Sequence, residues 1–411
     1  MSVARAAGRR RSAALCAALV LVAHDAHADR WLVENTIEAR LESNDNVNLV
    51  PNSPGIVNTV SLSTNLNASR QVESAATRAS LAATALHQQG PGSEDRIDGQ
   101  LGISQSLVDL RNTWSGALTY SQDFNNLVQT ADVAVARGRR RQLVLAGSWS
   151  YALSERLNAG IQVSFDRTGY GVAGANDFDD ARLSANTSWL MSEIDSISAS
   201  ASHTRYRTLD GSSDATTDDV GIGWSRALSE RGSASLTVGA YHTVNSFLRQ
   251  RLACPLPLPF CTSGLVPFIV VVDKVDHPAT GFEFSASYRH QMDERSAVQV
   301  SAASQQSPTG AGGIVTSETL SASATRALSP TVDSLLSYAY SRQTAPGGAF
   351  VYSPAQQHLA LSLSRRLAPD LSVSARYEFT RGDASRTSGS AHSNAIGVGL
   401  AYAWPRVERT H

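Results

Sequence analysis

The sequence predicts an all-β protein: a transmembrane, antiparallel, up-and-down β-barrel of about 18 strands, a number set by turn spacing and barrel geometry. Three observations predict it. Strand-length stretches alternate an apolar face with a small or polar one. Short turns of one chemical type recur at a near-constant interval. The six tryptophans gather at one end of the strands. The last strand shows the pattern best. Ile396, Val398, Leu400, Tyr402 and Trp404 share one face, and Ala395, Gly397, Gly399, Ala401 and Ala403 the other. Side chains alternate with period two along a strand. An apolar face ending in two aromatics suits lipid with a wet interface at its edge. A half-buried strand of a soluble sandwich fits that stretch equally well. Its repetition along the chain decides for the membrane, because a sandwich needs two apolar inner faces packed together.

The chain has 411 residues and a formal net charge of −1. Its mean hydropathy is −0.17. No segment after the N-terminal one holds the run of about 18 apolar residues that a transmembrane helix requires. A barrel strand meets lipid only at every second residue, so mild mean polarity is compatible with it. Near-neutral charge gives no argument for nucleic acid as a partner. Lys274 is the only lysine beside many arginines.

Residues 1–28 read as a secretory signal. Arg5, Arg9, Arg10 and Arg11 precede a short apolar core at 13–23, and Ala26-His27-Ala28 is a cleavage site, so the mature chain begins at Asp29. Leu15 before Cys16 argues against lipoprotein processing, and the arginine run is a poor twin-arginine motif. Cys254 and Cys261 remain, bracketing a short proline-rich segment. An exported chain meets an oxidising compartment, so a disulfide is expected there rather than a metal site.

The turns come next. Ala-Leu-Ser-Glu-Arg stands at 152–156 and again at 227–231, with Leu-Met-Ser-Glu-Ile at 190–194 and Gln-Met-Asp-Glu-Arg at 291–295. Ala-Leu-Ser-Pro-Thr follows at 327–331 and Arg-Leu-Ala-Pro-Asp at 366–370. Most are spaced by about 36–39 residues, one hairpin per period. Weaker turns fall near 70–74 and 109–112. Between the turns the alternation repeats: Leu143, Leu145, Trp149 and Tyr151 oppose Ala146, Ser148 and Ser150, and Leu371, Val373, Tyr377 and Phe379 oppose Ser372, Ser374, Arg376 and Glu378. The first strand is placed at about 31–42, and 137–141 is either loop or strand extension. Sixteen strands is the alternative count. The barrel is expected to fill 29–404, with 405–411 a short periplasmic tail.

Trp149, Trp189, Trp224 and Trp404 end strands running toward the short turns or the chain end, and Trp31 and Trp114 begin strands leaving that side. With Tyr402 they form an interface belt, where an indole ring meets lipid and its N–H meets water. Short turns face the periplasm and longer loops the outside: 43–56, 88–96, 168–178, 207–217, 246–278, 307–315, 343–354 and 382–392. Ser43 to Asn46 and Asp210 to Asp214 are too incomplete for calcium loops. The stretch 246–278 is read as a long extracellular insertion. It carries the cysteines and the apolar run Phe268 to Val272. It enters the lumen, caps the mouth, docks a partner, or stands as an extended hairpin above the rim.

The candidate lumen residues are Asp166, Arg182, Glu283, Arg289, Arg376 and Glu378. They either tune selectivity or form a salt-bridge lattice, and their mixed signs assign no ion preference. No G-x-S-x-G or H-E-x-x-H motif is present and the histidines are scattered, so neither catalysis nor a cofactor or metal is expected. Strands begin near the mature N-terminus, which leaves no plug domain.

The segment Glu34-Asn35-Thr36 through Ser43-Asn44-Asp45-Asn46-Val47-Asn48-Leu49, followed by strand pairs joined at Leu-Ser-Glu-Arg turns, resembles the β-barrel porins found beside bacterial exopolysaccharide and exosortase systems. The resemblance covers the mature chain at the level of turns. It implies a Gram-negative outer membrane, outer-membrane lipid and the barrel assembly machinery as partners, and a role beside polysaccharide or its export apparatus. The expected function is passive passage of hydrophilic solutes or part in exopolysaccharide export. A closed docking barrel and a rim-site hydrolase are the rival readings.

Overall fold

The computed structural model describes residues 30–125, 138–171, 175–254, 269–310, 313–344, 355–383, 390–404 and 407–410. The expected signal peptide lies outside them. The strands are β1 (Arg30–Asn44), β2 (Val57–Val72), β3 (Ala75–Gln89), β4 (Arg96–Val108), β5 (Asn112–Asn125), β6 (Gly138–Ala152), β7 (Leu157–Tyr170), β8 (Phe178–Leu190) and β9 (Asp195–Thr208). They continue as β10 (Ser213–Ser229), β11 (Gly232–Ala253), β12 (Ile269–Asp293), β13 (Ser296–Thr309), β14 (Gly313–Ser329), β15 (Val332–Thr344), β16 (Ala355–Ala368), β17 (Leu371–Asp383), β18 (Ser390–Ala403) and β19 (Val407–Thr410).

Each strand from β1 to β18 pairs antiparallel with the next, and β18 closes on β1 through Thr36 with Ala403 to Asn44 with Ala395. The result is a closed barrel of 18 strands. Segment β19 is no nineteenth stave. It continues the same seam, pairing Val407 to Thr410 with Val33 to Arg30. The expected tail after Trp404 is therefore partly wall: the lower end of β1 has ladder bonds to satisfy, and β19 supplies them. Followed once round the ring, the partners shift by roughly 22 residues, which for this strand number means a tilt of about 40°.

The apolar phase faces out. Leu41, Val60, Val163, Leu183, Ile222, Leu361 and Val398 are exposed large side chains on that face, directly paired across strands, as with Leu41 and Val60. Aromatic side chains meet in pairs at the short-turn end of the strands. Trp114 and Trp149 lie 5.7 Å apart, and Tyr402 and Trp404 5.9 Å. Trp149 Nε1 donates to Asn112 Oδ1 at 3.1 Å, and Trp224 Nε1 to Asp195 Oδ1 at 3.2 Å.

The recurring turns share one device. The Ser or Asp side chain accepts the N–H two residues on: Ser154 from Arg156 at 3.3 Å, Ser229 from Arg231 at 3.2 Å, Asp293 from Arg295 at 2.7 Å, and Ser329 from Thr331 at 3.3 Å. Such side chains fold the backbone back locally.

Two open alternatives are decided, in favour of an extended hairpin in 246–278 and of strand extension at 139–141. The stretch 246–278 is not mainly a loop. β11 and β12 run on through it as one ladder to Ala253 with Ile269, so Ile269 to Val272 are strand residues, a state that their β-branched side chains favour. And 139–141 belong to β6. Cys254 is disulfide-bonded; its expected partner Cys261 lies outside the described residues, as does Phe268.

The Asn44 to Leu49 segment closes the seam. Asp45 accepts from Asn394 N at 2.7 Å and from Asn394 Nδ2 at 2.8 Å. Asn46 Nδ2 donates to the His392 carbonyl at 2.8 Å. In the β9–β10 loop the Ser212 N–H and hydroxyl both bond the Asp210 carboxylate, at 2.9 and 2.8 Å, and hold its pKa below the ordinary range. These segments use their carboxylates as internal acceptors, and no metal-ligand cluster forms among the described residues.

Candidate functional site

The lumen is narrowed by an element that the sequence reading left as an ordinary loop, the tip of the β13–β14 hairpin. β12 pairs with β13 only up to Phe284 with Ser304. Among the described residues β14 pairs with β15 as far as Thr316 with Thr344. β13 and β14 nevertheless stay paired to each other as far as Thr309 with Gly313. The tip therefore parts from β12, and it lies against the inner face of β9 to β11. Tyr206 Oη donates to the Thr309 carbonyl at 3.0 Å. Asn245 Nδ2 donates to the Ile314 carbonyl at 3.3 Å, and the Ile314 N–H donates to Asn245 Oδ1 at 3.1 Å. The Asn176 N–H donates to the Gly310 carbonyl at 2.8 Å.

Ile314 is buried with Phe178, Tyr206 and Ala215, and Tyr170 packs on this group. The Phe178 and Tyr206 rings meet at a tilt, with centroids 5.0 Å apart. This apolar cluster sits inside the barrel, because Tyr206 pairs with Asp180 and Ala215 on the lumen phase. Burying one such side chain contributes about 2 kcal/mol, enough to hold a tip of this size when hydrogen bonds add to it. Gly310 belongs here for a steric reason: a Cβ would lie 2.7 Å from Tyr170 Cε2.

Under the tip lies an acidic wall. Asp166, Asp180, Asp219 and Glu283 point inward from β7, β8, β10 and β12, with Arg182 among them. Arg182 reaches Asp219 at 3.4 Å, and Ser202 also bonds Asp219. Asp180 Oδ1 is buried with no hydrogen-bond partner among the described residues. Gly239 makes room for the Glu283 carboxylate, since a Cβ there would lie 3.0 Å from Glu283 Oε1. A cavity of about 190 Å³ separates this wall from the tip.

Across the barrel, β1, β4, β16 and β17 carry a mixed wall. Arg40 pairs with Glu38 at 3.0 Å and Arg96 with Asp98 at 3.1 Å. Arg376 pairs with Glu378, whose other oxygen lies 3.8 Å from His358 Nε2. Glu42 and Gln88 complete a recess of about 730 Å³ there.

Of the sequence candidates, the structure brings Asp166, Arg182 and Glu283 to the acidic wall and Arg376 and Glu378 to the mixed one. Arg289 shares the inward phase but lies four pairs from the β12–β13 turn, pairing with Gln299, apart from both. Sequence reasoning missed Asp180, Asp219, Glu42, Arg40 and the whole tip. The carboxylates were findable, since Asp219 is in phase opposite to Val220, Ile222 and Trp224. Among the described residues no histidine hydrogen-bonds a serine: His87 pairs with Asp95, His203 with Asp218, and His242 and His358 with threonines.

No family model and no curated protein matches this sequence. Among solved structures it is similar to Pseudomonas aeruginosa OccK9 (OpdG), at 10% identity over 92% of this chain and 98% of that one, with a TM-score of 0.48. It is similar also to Pseudomonas aeruginosa OpdK with vanillate, at 8% identity over 92% and 99%, TM-score 0.47, and to Acinetobacter baumannii OccAB2, at 12% identity over 91% and 98%, TM-score 0.46. The geometry stands on its own: a closed barrel with an apolar exterior, an aromatic rim and a polar lumen is an outer-membrane structure.

Proposed function

We propose that the protein is a porin-like channel of a Gram-negative outer membrane, passing small hydrophilic solutes with a preference for cations. The observation that carries this reading is the placement of Asp180, Asp219 and Glu283 beside the infolded tip. A constriction decides selectivity because field lines concentrate where the aqueous section is smallest. At that level four carboxylates face one guanidinium, whereas the mixed wall is closer to balance. The tip itself adds no charge: Gln305, Gln306, Ser307, Pro308 and Thr309 lead to Gly310. The test is the reversal potential of the refolded protein in a planar bilayer under a KCl gradient. A cation-side potential supports the reading, and a barrel without current overturns it in favour of a closed docking barrel.

A second reading is passage of a sugar chain. It is favoured by the wide recess, where Asn44, Thr59, Gln88, Gln356, Thr380 and Ser393 offer hydrogen bonds beside the charges of Arg40, Glu42, Arg96, Arg376 and Glu378. Together with the resemblance at Glu34 to Leu49 it keeps polysaccharide export in view. Interruption of the current by neutral oligosaccharides supports this reading, and their failure to affect it sinks it.

A further inference from the structure

The exterior carries a second charged feature, one that solute passage does not use. Outward side chains of β7 to β11 form rungs. The lowest joins Leu157, Trp189, Ile197, Trp224 and Leu236, and a higher one Ile161, Ala185, Ala201, Val220 and Ala240. The next rung turns polar at His203 and Asp218, beside Leu183. Two rungs further up, the row reads Arg167, Asp179, Arg207, Asp214. Arg205 lies between these rungs, with Ala181 and Thr216 as its neighbours. Arg139 and Arg141 extend the patch on β6, in phase with the exposed Leu145.

The acids of this belt are taken. Asp179 receives both ends of the Arg167 fork at 2.6 Å. Lys274 reaches Asp214 at 3.0 Å, and His203 reaches Asp218 at 2.7 Å. Arg205 and Arg207 are left without an ion-pair partner among the described residues. Two free guanidinium forks on a strand face, at the level where lipid contact ends, are matched by charge to anionic headgroups.

We propose that this patch binds the phosphate groups of a phosphorylated glycolipid in the outer leaflet. The site rests on the orientation of the barrel, with long loops outside. It rests on none of the lumen residues. Arginine suits the task because its planar fork takes two phosphate oxygens at once. The apolar rungs below would carry the acyl chains, so one lipid molecule meets both parts of the surface.

The test compares binding of bis-phosphorylated lipid A and of the same lipid after enzymatic dephosphorylation, by native mass spectrometry of the folded full barrel. The double variant R205E/R207E is expected to lose about tenfold or more in retention of phosphorylated lipid A, by charge reversal at a headgroup contact, and little for the dephosphorylated form. R205K/R207K should retain most of the binding. Heat-modifiable mobility shows that each variant folds, and an unchanged conductance separates this site from the channel. Equal retention of both lipids overturns the proposal. So does an unaffected double variant, or a stable oligomer of the wild-type barrel that buries Arg205.

Discussion

Asn245 holds Ile314 as a neighbouring strand would: its side-chain amide donates to the Ile314 carbonyl at 3.3 Å and accepts from the Ile314 N–H at 3.1 Å. The two residues belong to β11 and β14, which are not adjacent in the wall. A side chain thus completes a backbone ladder across the lumen, where water would otherwise compete for both groups.

From that pair comes the first prediction. Asn245→Ala leaves the Ile314 N–H and carbonyl without their partners and weakens the tip by about 1–3 kcal/mol. Single-channel recording should show a larger or noisier conductance while heat-modifiable folding persists. Tyr206→Phe, which removes one bond to Thr309 and keeps the ring, should act in the same direction and less strongly. An unchanged conductance in a variant lacking 306–314 would remove the constriction from the account.

Gly310 offers a steric test of the same docking. Ala at 310 would place a methyl 2.7 Å from the Tyr170 ring, so the ring or the tip must shift. Gly310→Ala should raise conductance, and Tyr170→Ala in the same chain should restore part of the wild-type value by vacating the contested space. Additive effects of the two changes would contradict direct packing.

Ion selectivity follows from the acidic wall. Asp219→Asn with Glu283→Gln removes two negative charges beside the cavity and should bring the reversal potential close to zero. Arg182→Gln should move it further to the cation side, because Arg182 now offsets Asp219 at 3.4 Å. The same changes at Arg289 should have little effect, since that residue lies toward the short-turn end.

Much of this was legible in the sequence, and the reason is lipid. Every outward position meets the same solvent, so Ile396, Val398 and Leu400 repeat the chemistry of Leu359, Leu361 and Leu363, and period two emerges. The turns were legible because Ser154 and Asp293 fold the backbone with their own side chains. The lumen was harder to read, because water, a salt-bridge partner or a folded-in hairpin all accept polar residues. The infolded tip left one trace: Phe178 and Tyr206 sit on the polar phase of their strands, in step with Asp180 and Thr204. Aromatics on the wet face ask for an apolar partner, and Ile314 is it. The apolar run Ile269 to Val272 drew attention to the neighbouring hairpin instead. Its side chains belong to an unusually long two-strand ladder.

The seam gives a stability prediction. Asp45 takes two hydrogen bonds from Asn394 and donates one from its own N–H to the Asn394 carbonyl at 3.1 Å. Asp45→Ala should therefore lower the midpoint of thermal unfolding in the gel-shift assay, through a loss of about 2 kcal/mol from charge-assisted bonds. Asp45→Asn keeps one acceptor and should fall between. Conductance of the folded fraction should not change, since the clasp lies on the rim and not beside the tip. An Asp45 variant that altered ion selectivity with unchanged stability would instead place the Asp45 side chain itself in the permeation path.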